Sequence, residues 1–287
     1  MTILNADATA LRIDHLVIDV GDNIDAAAEA YRTLGFHLTE RGRHTLGSVN
    51  HLAVFNDHYL ELLGLPAEAA KQRPEISSFP EGLNGLVFAA EDADQVHRDL
   101  LARNVPALNP EPLARPVNLA TGTVEAKFNV VRLAPGTSDF GRIYFCHHIT
   151  PELVWRPEVQ HHPNGTLALE RITIATDDPA RSANRLGLIL GVSPERVGVE
   201  CVWRIQSGAI AIDFVPEAGP ESIRSSVWAE ARGRLNYMAL LTFRTVSLKQ
   251  TSGILAANSI SGVIEGDGHI LVPAANAFNV GLEFIER

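Results

Sequence analysis

Residues 11–20 read Leu-Arg-Ile-Asp-His-Leu-Val-Ile-Asp-Val and close on Gly21-Asp22. A run this rich in β-branched residues, ended by a turn pair, predicts a buried strand. Alternation puts Ile13, His15, Val17 and Asp19 on one face and Asp14, Leu16 and Ile18 on the other. An imidazole on the enclosed face must find a hydrogen-bond partner or a metal ion, and His15 alone does not say which.

Outward from this strand, residues 25–34 carry apolar positions at helical spacing and stop at Gly35. Extended runs follow at 36–40, 49–55 and 59–63, giving a βαβββ unit. The pattern restarts with a strand at 83–90, a helix at 93–103 and extended runs at 124–133 and 142–148. Residues 151–165, rich in Pro and His, read as a linker, with His161-His162 as a solvated loop feature. A third unit follows: a strand at 167–176, a helix at 179–190 ended by Gly191, and strands at 200–205 and 209–215. A fourth has a strand at 235–243, a helix at 246–258 and strands at 261–264, 269–271 and 280–285. Asp14-His15-Leu16-Val17-Ile18 is echoed by Glu170-Arg171-Ile172-Thr173-Ile174, and Leu83-Asn84-Gly85-Leu86 by Leu235-Asn236-Tyr237-Met238. The expected fold is α+β: about four βαβββ units paired into two curved, mostly antiparallel sheets, with helices outside.

The composition narrows the function. The chain has 287 residues, 46% of them hydrophobic and 20% charged, enough for a core without cross-links. A net charge of −10, with Arg41 and Arg43 the nearest thing to a basic cluster, argues against a nucleic-acid surface. Cys146 and Cys201 make neither a disulfide framework nor a Cys-rich zinc site. No leader or membrane-length apolar run is visible, so the expectation is a cytoplasmic protein with a small-molecule partner, monomeric or homodimeric.

Three polar interruptions of apolar strands stand out. His15 is the first. Glu61 breaks Tyr59-Leu60-Glu61-Leu62-Leu63-Gly64, where an unpaired carboxylate is costly to bury and an edge strand facing solvent is the plain alternative. The third is Tyr144-Phe145-Cys146-His147-His148; alternation admits one histidine to a given cleft, His148 by preference and His147 otherwise. Two histidines and a carboxylate from separate strands match the facial triad that leaves metal positions open to substrate. His51, in Asn50-His51-Leu52-Ala53-Val54-Phe55, is a candidate ligand, general base or ligand-orienting group, with a structural role as the alternative. Cys146 is a reactive thiol only if a histidine lowers its pKa. Asp177-Asp178 reads as a helix cap. No nucleophile elbow, phosphate-binding glycine loop or H-E-x-x-H helix is present.

Asp14-His15-Leu16-Val17-Ile18, the segment from Arg41-Gly42-Arg43-His44 through Gly47 to Asn50-His51, and Tyr59 to Gly64 together resemble the glyoxalase-like branch of the vicinal-oxygen-chelate superfamily. Cys146-His147-His148, followed by Thr150-Pro151-Glu152-Leu153-Val154-Trp155, is similar to the end of that domain. The resemblance covers residues 11–156; residues 157–166 form the linker, and for 167–287 it is architectural only. It implies a divalent metal, one of Zn, Mn, Ni, Co or Fe, on the inner face of the paired units. The implied ligands are His15, Glu61 and His148, with Gly85 where a fourth would stand. His51 is then the expected catalytic group, and Tyr59, Asn50, His44 and Cys146 the substrate-binding ones. In the second half Arg171 takes the place of His15 and Glu283 that of Glu61, so this half is expected to be mainly structural. The functional expectation is a metal-dependent lyase or isomerase that chelates neighbouring oxygens of a carbonyl or enol. The alternatives are an Fe(II) ring-cleaving dioxygenase and a non-catalytic small-molecule binding or resistance protein.

Overall fold

In the computed structural model, residues 12–119, 121–198, 201–217 and 227–286 are described; Leu11 and Glu200, at the ends of two expected strands, lie outside them. The first unit is β1 (Ile13–Asp19), α1 (Ile24–Thr33), β2 (Gly42–Arg43), β3 (Val49–Val54) and β4 (Tyr59–Gly64). Short helices α2 (Ala67–Gln72) and α3 (Pro74–Ser77) lead to the second: β5 (Gly82–Ala89), α4 (Ala93–Ala102), β6 (Glu111–Leu119), β7 (Gly122–Arg132) and β8 (Arg142–His148). The third is β9 (Thr166–Thr176), α5 (Pro179–Leu190), β10 (Glu195–Val197), β11 (Val202–Ser207) and β12 (Ile210–Pro216). The fourth is β13 (Tyr237–Thr245), α6 (Leu248–Ala257), β14 (Ile264–Gly266), β15 (His269–Val272) and β16 (Gly281–Glu286). Asp92, Asp178 and Ser247 cap α4, α5 and α6 by accepting a backbone N–H, and Gly191 ends α5 at φ 73°.

The units pair into two eight-stranded mixed sheets of identical topology, β2-β3-β4-β1-β5-β8-β7-β6 and β10-β11-β12-β9-β13-β16-β15-β14. In each, the first strand of one unit runs antiparallel to the first strand of the next and parallel to its own unit's last strand. The repeat extends to irregularities. Between Ile13↔Phe88 and His15↔Val87 the ladder leaves Asp14 as an extra residue, and between Leu169↔Phe243 and Arg171↔Thr242 it leaves Glu170. Both are β-bulges on the strand at the sheet centre. The Asp14 bulge overturns the simple alternation: Ile13 packs with Leu16 and Ile18 in the core shared with the helices, while the Asp14 carboxylate meets His15.

Register also corrects the comparison of the halves. Val17 faces Glu61 across β1 and β4, and Thr173 faces Asp213 across β9 and β12, so Asp213, not Glu283, is the counterpart of Glu61. Glu283, opposite Thr242 on β13, corresponds to Tyr144, opposite Val87 on β5.

One core cluster runs through both halves. Phe36 packs against Phe243 and Phe284, and the Tyr31 hydroxyl donates to the Ala277 carbonyl at 3.2 Å. The linker is part of this junction rather than a solvated loop. His162 is 1% exposed; its Nδ1 accepts from the His37 N–H at 3.1 Å and its Nε2 donates to the Val54 carbonyl at 3.1 Å. Asn164, fully buried, donates to the Leu34 carbonyl and accepts from the Thr166 N–H.

Candidate metal centre and substrate cleft

The inner face of the first sheet lines a half-open cleft. Its polar wall comes from β1 (His15), the loop after β2 (His44, Ser48), β3 (Asn50), β4 (Tyr59, Glu61), α3 with its preceding residue (Arg73), β6 (Arg115), β7 (Arg132) and β8 (Arg142, Tyr144, Cys146). Leu52, Leu63, Ile76, Leu113, Phe128 and Val130 supply the apolar wall.

Glu61, 6% exposed, is the centre. His15 Nε2 lies 3.8 Å from Oε2 and His44 Nε2 3.7 Å from Oε1, while Asn50 Nδ2 donates to Oε1 at 2.6 Å. Burial by itself raises the Glu61 pKa; His44, His15, the Asn50 hydrogen bond and Arg115 outweigh it and hold the carboxyl below its ordinary value. Burial pushes the His44 pKa down, against the pull of Glu61.

The second nitrogen of each imidazole is engaged on the far side. His15 Nδ1 meets Asp14 Oδ1 at 2.5 Å, and His44 Nδ1 meets Ser48 Oγ at 2.9 Å. With Nδ1 as donor, each ring turns an Nε2 lone pair toward the carboxylate. His15 is further fixed by stacking on Tyr59, with ring centroids 4.4 Å apart, and its Nε2 lies 3.2 Å from the Tyr144 hydroxyl. Burial raises the Tyr144 pKa, so this hydroxyl stays a donor.

His15, Glu61, Tyr59, Asn50, His44 and Cys146 therefore meet in one cleft. Two expected residues do not join them. His51, on the opposite parity of β3 from Asn50 and Leu52, turns its Nδ1 to the Thr39 carbonyl at 2.8 Å. His148 sits beyond Asp14, with its Nε2 3.0 Å from that carboxylate and its ring between Phe128 and Trp155. The β8 residue level with His15, through Val87, is Tyr144, four residues before His148, and Arg142 is the one level with Glu61. His147, on the opposite parity of β8 from Cys146 and His148, pairs in the ladder with Asn129 of β7. Burial pushes the Cys146 thiol well above its ordinary pKa, which removes the reactive-thiol reading.

Asp14, Cys146 and His148 offer a second donor group, with atoms within 4.8 Å of one another. Asp14 is already shared by two imidazoles. Burial alone raises its pKa; the hydrogen bonds from His148 and His15 bring it down to about 2. Neither Asp14 nor His148 lines the cleft.

The sequence reading missed Asp14, Tyr144 and Arg115. A bulge next to a strand histidine hid the first. The register of β8 locates the second. Arg115 sits on β6, whose Pro112 and Pro116 disguise a strand; it is an edge strand, where a missing N–H is tolerated. In the second half the corresponding positions are closed: Arg204 holds Asp213 through two hydrogen bonds of 2.6 Å, Arg171 approaches it at 3.5 Å, and Thr242 donates to Glu283 at 2.6 Å.

Paired βαβββ units around a cleft with a histidine on the first strand and a carboxylate on the fourth define a protein of the vicinal-oxygen-chelate superfamily. More narrowly, the chain belongs to the glyoxalase-like domain family, whose model matches residues 13–189, more than half of its length. Curated proteins include no match to the sequence. Among solved structures, a hypothetical protein from Staphylococcus aureus shares 11% identity at a TM-score of 0.69, with 96% of this chain and 100% of that one covered. A mutant 4-hydroxymandelate synthase from Streptomyces coelicolor shares 12% identity at a TM-score of 0.60, covering 97% of this chain and 93% of that one. A fusion of a xylose isomerase-like TIM barrel with 4-hydroxyphenylpyruvate dioxygenase shares 12% identity at a TM-score of 0.61, covering 98% of this chain and 50% of that one. At these identities the likeness is one of fold. Among the described residues, no helix is long and apolar enough to cross a membrane.

Proposed function

We propose that the first-half cleft holds a divalent metal between His15, His44 and Glu61, and that the protein is a metal-dependent lyase or isomerase acting on a small carbonyl or enol substrate. The observation that carries this reading is the donor set: two imidazole Nε2 lone pairs flank one buried carboxylate, at 3.8 and 3.7 Å, in a cleft open to a ligand. Three electron-rich groups aimed at each other call for a cation, and two histidines with one carboxylate suit a first-row divalent ion. The Asp14–His15 pair is the arrangement that fixes ring orientation and basicity in histidine ligands.

Bound there, the ion would act as a Lewis acid for two neighbouring substrate oxygens. The remaining work falls to the chain. Tyr144, whose hydroxyl lies 3.2 Å from His15 Nε2, would be free to donate to a substrate oxygen once that nitrogen held the ion; Asn50 and Ser48 hold Glu61 and His44 in place, and the apolar wall limits water. Zn, Mn, Ni or Co would serve this chemistry. The same two-histidine, one-carboxylate set also supports a second reading, Fe(II)-dependent ring cleavage.

The test is solvent exchange. Metal-reloaded protein in D2O with a panel of α-hydroxy and α-oxo carbonyl compounds should incorporate deuterium next to a carbonyl, followed by NMR, and the Glu61→Gln variant should not. Oxygen uptake with catechols on Fe(II) loading would move the assignment to ring cleavage. Neither activity in metal-loaded protein would refute the enzyme reading.

A further inference from the structure

Arg115 carries a buried charge with no direct partner among the described residues. Its side chain is 8% exposed, yet among the described residues its guanidinium makes no hydrogen bond and no ion pair. Of the other cleft arginines, Arg73 pairs with Glu75 and Arg132 with Glu111, while Arg142 donates to Asn84 at 2.9 Å and leaves its Nε without a partner. The anion acting on Arg115 is Glu61, which already faces two imidazoles and Asn50. A buried cation is normally paired, because burial strips its hydration and an unpaired charge regains nothing in return.

We infer that the substrate is an organic carboxylate with an apolar body, and that Arg115 receives its carboxylate. The inference deepens the proposed function, since it concerns the same cleft, but it does not depend on the metal. A guanidinium offers a planar fork that matches two carboxylate oxygens. One free fork beside Leu113, Leu52 and Phe128 suits a monoanion on an apolar frame better than a phosphate, which needs more donors around it. The cleft thus selects a charge opposite to its own, although the whole chain carries a net charge of −10.

The probes are benzoate, phenylacetate and 3-phenylpropionate, each against its own amide, with inorganic phosphate as a further competitor, by titration calorimetry on the full chain. At least one acid should bind ten or more times tighter than its amide. That preference should fall at least tenfold in Arg115→Gln and survive in part in Arg115→Lys, with circular dichroism confirming that both variants fold. It should persist after chelator treatment, so a failure of the metal reading leaves this result intact. Equal binding of acids and amides, no binding of any acid, or an unchanged preference in Arg115→Gln would overturn the inference. Phosphate that competes as well as the acids, in an Arg115-dependent way, would overturn the choice of carboxylate.

Discussion

His162 gives the junction between the halves a pH dependence that can be calculated. Burial depresses its pKa from 6.5 to about 4, against the opposing hydrogen bond to the Val54 carbonyl. Between those values the unfolded chain binds a proton that the folded chain refuses, so stability is full above pH 6.5 and falls as the solution is acidified toward pH 4. Between pH 7.5 and pH 5 this one group should remove about 2 kcal/mol, and about 3 kcal/mol by pH 4. Urea denaturation of the wild type and of His162→Gln at each pH isolates the effect, because every other titrating group is common to both. The wild type should lose about 2 kcal/mol more than the variant on going to pH 5. Parallel pH profiles would refute the reasoning and return His162 to a passive loop position.

Asp14→Asn keeps the shape of the carboxylate that orients His15 but removes its charge, and metal affinity should drop by roughly 10–100-fold, read by competition with a chromophoric chelator. Gly85→Ala should destabilise the chain by about 1–3 kcal/mol in thermal or urea unfolding, the usual cost of overpacking. Its added Cβ would sit 2.7 Å from Val17 Cβ, and unchanged stability would show that the neighbouring strands can yield.

The same contact explains why Gly85 supplies no ligand: Val17 fills the space that a side chain would need. The strands carrying His15 and Glu61 were legible because each breaks a long apolar run, and such runs mark central strands whatever surrounds them. The fold followed from that pattern and its repeats, and the family from the resemblance carried by the motifs around His15, His44 and Glu61. What stayed hidden depended on register. A bulge turns Asp14 toward His15, a fact that no alternation rule contains. His148 shares parity with Tyr144, so parity could not decide which of them lies level with His15. His51 shows the reverse difficulty, since nothing within Asn50-His51-Leu52 says which face the sheet will close over. His162 looked solvated because it lies in a run rich in Pro and His, whereas the chain there passes between the two halves and must satisfy its polar groups internally.

The central claim is that a metal sits in the cleft between His15, His44 and Glu61. Metal content by plasma mass spectrometry, on untagged protein purified without chelator, tests it most directly. The account predicts near-stoichiometric Zn, Mn, Ni, Co or Fe in the wild type and in His148→Ala, and loss of that metal in Glu61→Gln and His44→Ala. Metal retained in Glu61→Gln but lost in His148→Ala would contradict the account and place the ion on Asp14, Cys146 and His148 instead.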